Sequence, residues 1–430
     1  PDLLPAELRR QHGLCDVRYA YENIHFPADD AALAAARRRL AFEELYFLTL
    51  GLRLLRARRT TVKGKTCAAV DMTPFFGALP FSLTGAQARA VDDILRDMTA
   101  ERPMNRLVQG DVGSGKTMVA AAGIYFAAKN GLQAALMAPT EILAEQHYHT
   151  LAPLLEKLGV RCALLTASTK AKTRRSILER LAAGEIDLAI GTHALLSPDI
   201  SYQNLGLVVT DEQHRFGVNQ RAALGAKGEN PHLLVMSATP IPRTLALMIY
   251  GDLDVSVIDE LPPGRRSIET YAVPSSYHER IYAFLEKQLA EGRQAYIVCP
   301  MVEESEGLEA ENVTDYTQLL KKELPGITVE MLHGQMKAAQ KNEIMERFAS
   351  GEIQVLVSTT VVEVGVNVPN ATVMMVENAE RFGLAQLHQL RGRVGRGEHQ
   401  SYCIFIRGNK DQETAKRLEI LNHSNDGFYI

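Results

Sequence analysis

Residues 110–117 read Gly-Asp-Val-Gly-Ser-Gly-Lys-Thr and follow a short apolar stretch. Glycines at this spacing leave backbone N–H groups free to surround a phosphate, a lysine can neutralise β- and γ-phosphate oxygens, and a threonine hydroxyl can bind Mg²⁺. Helix-forming residues come next, so the phosphate would lie at a helix N-terminus, where unpaired amides favour negative charge. The pattern predicts a nucleotide-binding loop made by Gly110, Gly113, Ser114, Gly115, Lys116 and Thr117.

An acidic pair, Asp211-Glu212, stands at the end of the apolar run 207–209. Such a pair on its own can simply be the polar end of a strand. Beside a phosphate-binding loop, one carboxylate can hold Mg²⁺ and the other can orient and deprotonate an attacking water. We therefore predict that Thr117 and Asp211 hold the metal, that Glu212 activates water, and that the chain hydrolyses a nucleoside triphosphate.

Residues 389–397 read Gln-Leu-Arg-Gly-Arg-Val-Gly-Arg-Gly. A planar guanidinium donates two hydrogen bonds to phosphate oxygens, so arginines spaced by glycines indicate fingers for a γ-phosphate. We predict Gln389, Arg393 and Arg396 as catalytic residues of this motif. Because they are far from Lys116 along the chain, the simplest architecture has two nucleotide-binding folds with the nucleotide between them.

Two further motifs have both a functional and an ordinary interpretation. The hydroxyls of Ser237 and Thr239 could bond to His214 or Asp211 and couple the hydrolysis site to its domain, although such a turn before proline is common in loops. Phe81 and Gln87 could recognise adenine through a ring face and an amide, although Thr84 could instead cap the helix that follows.

The bulk properties fit a folded protein of two or three domains, with 430 residues, 46% hydrophobic and 23% charged residues. A net charge of −4 argues against a surface uniformly adapted to nucleic acid, but it leaves local basic stretches possible. The five cysteines show no zinc-binding spacing, which favours a reducing cytoplasm. The chain has no apolar run long enough for a membrane span, and its start, without Met or a signal pattern, suggests a cut from a longer protein.

Apolar runs that alternate with helical patterns predict parallel sheets flanked by helices. Two series of such runs occur: 107–108, 134–138, 163–165, 188–190, 207–209 and 233–236, then 271–273, 295–298, 329–332, 355–357, 373–376 and 402–406. Leucines at helical intervals predict one long amphipathic helix from Asp30 to about Arg59, whose arginines either pair with Glu43 and Glu44 or face DNA or another domain. The acidic segment 305–314 predicts a solvated loop.

The ordered motifs together resemble superfamily 2 helicases and translocases, and more narrowly the RecG family of branch-migration DNA helicases. The most specific stretches are 211–218, 238–245 and 380–390. Transcription-repair coupling translocases have a similar motor, but they typically differ where this chain has His214 or His388. The resemblance covers essentially the whole chain.

The resemblance implies an α/β fold with two tandem RecA-like parallel-sheet domains and an N-terminal helical linker. It implies an ATP- and Mg²⁺-dependent motor on duplex or branched DNA, active in repair and recombination, monomeric, in the bacterial cytoplasm at the nucleoid, with single-stranded-DNA-binding protein as a partner of the full-length form. The implied domains are a linker at 1–78 after a missing wedge domain, ATP-binding and C-terminal helicase domains at 79–262 and 263–408, and a truncated helical hairpin at 409–430.

By the same resemblance, one group of residues would follow the nucleic acid: Thr140, Glu141, Thr192, His193, Thr359 and Thr360. Asn367 would bind the nucleotide ribose in place of the usual acidic residue, without its charge, and Ala167 replaces a usual glycine. Two other functions stay open at this point: a nucleotide-gated DNA clamp that does not unwind processively, and an RNA helicase with the same core. No residue visibly senses a 2′-hydroxyl.

Overall fold

The computed structural model describes residues 2–59, 63–197, 199–211, 230–238, 253–260, 262, 266–300, 306–359, 368–395, 397–408 and 411–424. Its contacts divide the chain into two compact units. The first combines Pro1–Lys63 with Pro242–Asp254, and the second combines Gly64–Ile241 with Val255–Ile430. Within the described residues, no helix is both long and apolar enough to cross a membrane.

The first unit is helical where it is described. Its helices are α1 (Ala6–Gln11), α2 (Val17–His25) and α3 (Asp30–Arg59). The long helix predicted from the leucine spacing is therefore present. The Arg39 side chain is fully buried, and its guanidinium donates to Asp2 at 2.6 Å and to Glu43. Of the arginines on this helix, Arg39 therefore forms its ion pairs within the first unit.

The second unit contains two sheets. In the described residues the first sheet has seven strands in the order β3-β4-β2-β5-β6-β1-β7. The strands are β1 (Asn105–Gly110), β2 (Gln133–Met137), β3 (Cys162–Leu165), β4 (Leu188–Gly191), β5 (Leu205–Thr210), β6 (His232–Ser237) and β7 (Asp254–Ile258). The helices are α4 (Thr73–Ala78), α5 (Gly85–Thr99), α6 (Lys116–Lys129), α7 (Glu141–Lys157) and α8 (Ala171–Ala182).

The second sheet has six described strands in the order β10-β11-β9-β12-β13-β8. They are β8 (Glu269–Pro274), β9 (Gln294–Val298), β10 (Val329–Leu332), β11 (Val355–Ser358), β12 (Ala371–Val376) and β13 (Tyr402–Arg407). The helices are α9 (His278–Ala290), α10 (Glu306–Glu323), α11 (Ala338–Ala349), α12 (Leu384–Arg391) and α13 (Gln412–His423). Short 3₁₀ turns cover His193–Leu196, Ser275–Tyr277 and Ala379–Arg381.

The inner strands of both sheets, including β2, β5, β9 and β12, are buried along their whole length, as expected for parallel sheets covered by helices. One face of each sheet contributes to one apolar cluster and the other face to a second cluster. The neighbouring strands β5, β6 and β1 run parallel, so the segments that follow them leave from the same edge of the first sheet. Ligands of open α/β sheets bind at this carboxyl edge.

The structure corrects the prediction for 305–314, because residues from Glu306 onward belong to helix α10 rather than to a loop. Val313, Thr317 and Leu320 of this helix are buried at helical spacing, and the two apolar residues belong to the core cluster on one face of the second sheet. Burial of one helix face outweighs the acidic composition of the other. Strand β7 was not predicted, because its sequence Asp-Val-Ser-Val-Ile has no continuous apolar run of the kind that marked the other strands.

Candidate nucleotide site and nucleic-acid face

The phosphate-binding loop joins β1 to α6 in the conformation that its glycines allow. Gly113 and Gly115 have φ angles of 81° and 84°, in the left-handed region that favours glycine. A Cβ atom on Gly110 would lie 2.6 Å from Ser114 Oγ, and one on Gly115 would lie 2.2 Å from Gln87 Nε2. The loop therefore requires glycine at these positions both for its backbone angles and for its close packing.

The Lys116 side chain folds back onto this loop. Its Nζ donates to the carbonyl oxygens of Gly110 at 2.7 Å and Asp111 at 2.8 Å. The ammonium group thus lies beside the backbone amides that the sequence assigns to a phosphate. Phosphate oxygens could replace the carbonyl oxygens as acceptors without a large movement of the lysine.

Asp211 directly follows β5 and meets a partner that sequence analysis missed. Its Oδ2 lies 2.8 Å from Nε2 of His147 on α7, and the side chains of both residues are mostly buried. An ionised carboxylate can only accept, so Nε2 of His147 donates. No sequence motif pointed to His147, because it lies 64 residues before its partner.

A cavity of about 1050 Å³ collects the predicted phosphate and metal groups. It is lined from the first sheet domain by residues that include Gly113, Gly115, Lys116, Thr117, His147 and Asp211, and from the second by residues that include Pro369, Asn370, Arg393 and Gly395. Arg393 is largely buried there. The predicted arginine finger and the phosphate-binding loop therefore face one cavity, as the two-domain prediction required.

Helix α12 brings the second sheet domain against the loop by two contacts. His388 Nε2 lies 3.0 Å from Asp111 Oδ1, and a Cβ atom on Gly392 would lie only 2.8 Å from Cβ of Val112. Arg391 donates to His388 Nδ1 at 2.8 Å, so Nε2 carries the hydrogen that Asp111 accepts. The residue before Arg393 is thus held at van der Waals distance from the loop.

Arg391 itself is buried and points away from the cavity. Its Nη1 donates to the carbonyl oxygens of Leu421 at 3.0 Å and Ser424 at 2.7 Å, at the end of α13. Burial lowers the pKa of this guanidinium from its ordinary value. Arg391 therefore has a packing role that differs from the role predicted for Arg393.

The residues predicted to recognise adenine lie in different environments. Phe81 is 43% exposed, whereas Gln87 is 1% exposed. The Gln87 side-chain oxygen accepts from Thr84 N–H at 2.9 Å as part of a helix capping box, and its amide nitrogen donates to the Ser114 carbonyl at 2.8 Å. Gln87 therefore joins the start of α5 to the phosphate-binding loop, and its role toward adenine stays a prediction.

The residues predicted to follow a nucleic acid also differ. Thr140 caps α7 by accepting from Leu143 N–H, and Glu141 accepts from Ala167 N–H at 2.9 Å. Thr192 is largely buried, and Thr359 is fully buried with a hydroxyl that has no partner in the described part of the chain. In this conformation the side chain of Thr359 is not at the surface.

Several predicted residues fall outside the described residues: Glu212, His214, Thr239, Thr360, Asn367 and Arg396. The side chain of His193 is also outside them. Ser237 is buried at the end of β6, and Gln389 is partly exposed on α12. Their roles stay predictions.

The donor set of the cavity fits Mg²⁺. The Thr117 hydroxyl and the Asp211 carboxylate both line it, and oxygen ligands of this kind are those that Mg²⁺ prefers. Within the described residues, no group of three or more His, Cys, Asp or Glu residues forms a metal cluster. The arrangement matches a metal held by one or two protein oxygens together with nucleotide phosphates.

Comparison with known proteins agrees with this geometry. The family model for DEAD/DEAH box helicases matches residues 84–248, and the model for the helicase conserved C-terminal domain matches residues 278–398. The ATP-dependent DNA helicase RecG of Bacillus subtilis is 51% identical over 100% of this chain and 64% of its own length. RecG of Thermotoga maritima is 46% identical over 100% of this chain and 55% of its own length.

A solved structure of RecG bound to a three-way DNA junction matches 99% of this chain and 57% of that chain, with a TM-score of 0.87 and 43% identity. A helicase MrfA bound to DNA, at 18% identity and a TM-score of 0.60, shares the fold. The chain spans roughly half to two thirds of the length of the curated relatives named here. From the identity along its whole length and the paired helicase domains, the chain belongs to the RecG family of helicases.

Proposed function

We propose that this chain is the ATP-hydrolysing motor of a helicase that moves on duplex DNA and acts on branched DNA, in fork reversal and Holliday junction branch migration during repair and recombination. The observation that carries the proposal is the shared cavity, where Lys116 and Asp211 face Arg393 across two sheet domains. A nucleotide there contacts both domains. Hydrolysis can therefore change how the two domains are held together.

The first sheet domain binds the phosphates. Lys116 exchanges its two carbonyl contacts for β- and γ-phosphate oxygens, while the loop amides and the start of α6 surround the phosphates. Thr117 and Asp211 would hold Mg²⁺, and the bound metal would supply positive charge beside the transferred phosphoryl group. Phe81 and Gln87 contact adenine, and Asn367 contacts the ribose.

The reaction needs groups from both domains. Glu212 orients the attacking water and accepts its proton. Arg393 and Arg396 stabilise the negative charge that develops on the γ-phosphate, assisted by Gln389, and such arginine fingers contribute factors of about 10³ to 10⁵ in rate. His214, Ser237 and Thr239 connect this step to the rest of the first sheet domain.

The nucleic acid runs along the carboxyl edges of the sheets. Thr140 and Glu141 follow β2, Thr192 follows β4, and Thr359 and Thr360 follow β11, with His193 beside Thr192. Contacts of this kind go mostly to phosphates and sugars, so they give grip with little sequence specificity. We place the domain boundaries at 78/79, 262/263 and 408/409. The working form that we propose is a monomer in the bacterial cytoplasm at the nucleoid, and the full-length protein has single-stranded-DNA-binding protein as a partner.

The test is steady-state ATP hydrolysis with no nucleic acid, linear duplex DNA, a synthetic fork and a matched RNA duplex, all at one salt concentration because phosphate-driven binding depends steeply on salt. We expect stimulation by DNA and not by RNA, and none in a Lys116→Ala control. Equal stimulation by RNA would contradict the DNA specificity. Strand displacement on the fork then separates a helicase from a DNA clamp that binds and releases without unwinding.

A further inference from the structure

Helix α7 joins the two functional regions of the first sheet domain. Its N-terminus lies at Thr140 and Glu141, which we assign to the nucleic-acid face. Two turns later, His147 faces the nucleotide cavity and contacts Asp211. At a rise of about 1.5 Å per residue, these two places are roughly 9 Å apart along one helix.

The hydrogen bond from His147 can orient the Asp211 carboxylate. The imidazole is 5% exposed and its Nε2–H reaches Asp211 Oδ2 at 2.8 Å. The hydrogen bond fixes one carboxylate oxygen, and so sets the direction in which the carboxylate faces Thr117 and the loop. Outer groups that hold a metal-binding carboxylate in this way typically change metal affinity or activity by about 10- to 100-fold when they are removed.

The N-terminus of α7 is itself tied to a neighbouring loop. Thr140 caps the helix, and the Glu141 carboxylate accepts from the backbone N–H of Ala167. A nucleic-acid strand that contacts Thr140 or Glu141 therefore acts on the end of a helix rather than on a flexible segment. Because the backbone hydrogen bonds of α7 make it stiff, a displacement of its first turn reaches His147.

We propose that His147 is a positioning residue that holds Asp211 in the orientation required for Mg²⁺ and transmits nucleic-acid binding at the start of α7 to the metal site. The proposal rests on the proposed function. It makes the affinity of the metal site depend on whether a nucleic acid is bound, through one hydrogen bond in the first sheet domain. No movement of the second sheet domain is needed for this effect.

Three variants on the same helix test the proposal. His147→Leu removes the donor, and His147→Gln keeps an amide N–H that can reach Asp211. His149→Leu is the matched control, because His149 is exposed on the same helix and outside the cavity. Leucine and glutamine are both good helix formers, so α7 should persist in all three variants. Circular dichroism and ADP binding without metal check that each variant is folded.

The main measurement is Mn²⁺ binding in the presence of ADP, followed by electron paramagnetic resonance with and without saturating duplex DNA. We expect His147→Leu to weaken Mn²⁺ binding by about 10- to 100-fold and to remove the effect of duplex DNA on it, with His147→Gln close to wild type. Unchanged Mn²⁺ affinity in His147→Leu, or equal loss in both His147 variants, would overturn the positioning role. An undiminished effect of duplex DNA in His147→Leu would overturn the transmission role.

Mn²⁺ binding is measured without ATP hydrolysis. The role of His147 can therefore be rejected or supported independently of the proposed motor function. A wild-type chain that binds Mn²⁺ with ADP but shows no DNA-stimulated hydrolysis would contradict the motor function, while the dependence of Mn²⁺ affinity on His147 would still be measured. In the opposite case, the wild-type chain shows DNA-stimulated hydrolysis, and His147→Leu binds Mn²⁺ as wild type does. That result would support the motor function and reject the positioning role of His147.

Discussion

The two sheets of the second unit share a fold but use the polar residues at their carboxyl edges differently. In the first sheet domain, Lys116 and Asp211 line a cavity of about 1050 Å³. In the second, Glu377 follows β12, and its carboxylate is hydrogen-bonded within the fold. It accepts from His278 at 2.8 Å and from the Tyr316 hydroxyl at 2.6 Å. The same strand order therefore leaves polar side chains facing a cavity at one edge and joins them in a hydrogen-bond network at the other.

The network at the second edge also has a distinct electrostatic character. The hydrogen bond to Glu377 raises the pKa of His278 above its ordinary value, although burial opposes this. Burial and then Glu377 raise the pKa of Tyr316, whose hydroxyl also meets that of Tyr282 at 3.1 Å. We infer that the first edge is arranged for binding and chemistry, and the second for holding the sheet domain that presents Arg393.

The largest effect should come from Arg393, which lines the cavity from the second sheet domain and which we propose as an arginine finger. We expect Arg393→Ala to lower ATP turnover by about 10³-fold or more, since an arginine finger stabilises charge that appears only in the transition state. Nucleotide affinity should change by a few-fold at most. Stopped-flow binding and steady-state hydrolysis separate the two, with the exposed Arg381→Ala as control. Normal turnover in Arg393→Ala would exclude it as the finger.

A smaller effect should follow from separating the two domains at α12. A methyl group on Gly392 would overlap Val112, so in Gly392→Ala the backbone beside Arg393 and the phosphate-binding loop must separate by a few tenths of an ångström. Misplacement by about 1 Å can cost on the order of 100-fold, and we expect turnover to fall by about 10-fold. Adding Val112→Gly should recover part of it. Steady-state hydrolysis by the two single variants and the double variant is the measurement, and no recovery would argue against contact as the cause.

The network at the second edge should affect stability rather than turnover. Because the folded-state pKa of His278 is raised, its contribution to stability is complete below about pH 6.5 and is lost as the pH rises through the folded-state pKa. At about pH 6, His278→Gln should lower the free energy of unfolding by roughly 1 to 3 kcal/mol relative to wild type. The difference should shrink by about pH 9. Urea unfolding at both values checks this, and a constant difference would show that the charge is not responsible.

The smallest effect should come from Thr359. Its buried hydroxyl has no partner in the described residues, so Thr359→Val should change the free energy of unfolding by less than about 1 kcal/mol. Duplex affinity should fall by no more than a few-fold, because only one of several phosphate and sugar contacts is lost. Thr140→Val, in contrast, removes a helix cap and should cost about 1 kcal/mol. Calorimetry and fluorescence anisotropy with labelled duplex measure the pair. A duplex affinity identical to wild type in Thr359→Val would argue against a contact between this hydroxyl and the nucleic acid.

The elements that could be predicted from the sequence are those whose signal is local. The strand runs and helix α3 have continuous or periodic apolar patterns, and the loop 110–117 has a spacing that backbone geometry demands. The segment 305–314 was wrongly predicted as a loop, because its acidic composition gave no sign of the apolar face that helix α10 buries through Val313 and Leu320. Strand β7 was missed because polar and apolar residues alternate in it instead of forming a continuous apolar run.

The contacts that could not be predicted join residues far apart in the sequence. His147 meets Asp211 across 64 positions, and His388 meets Asp111 across 277. Each histidine lies on a helix where its spacing has no special meaning. The pairing of β2 with β5 brings helix α7 beside Asp211, and the packing of the second sheet domain against the first brings His388 to Asp111.

The self-contact of Lys116 has a consequence for how loss-of-function variants are interpreted. Its ammonium group ties two carbonyl groups of the phosphate-binding loop together, so it also supports the shape of the loop. Such support lowers the ordering cost of binding. A Lys116→Ala protein therefore loses this support of the loop as well as the phosphate contact that we propose, so a comparison with wild type reports on both changes at once.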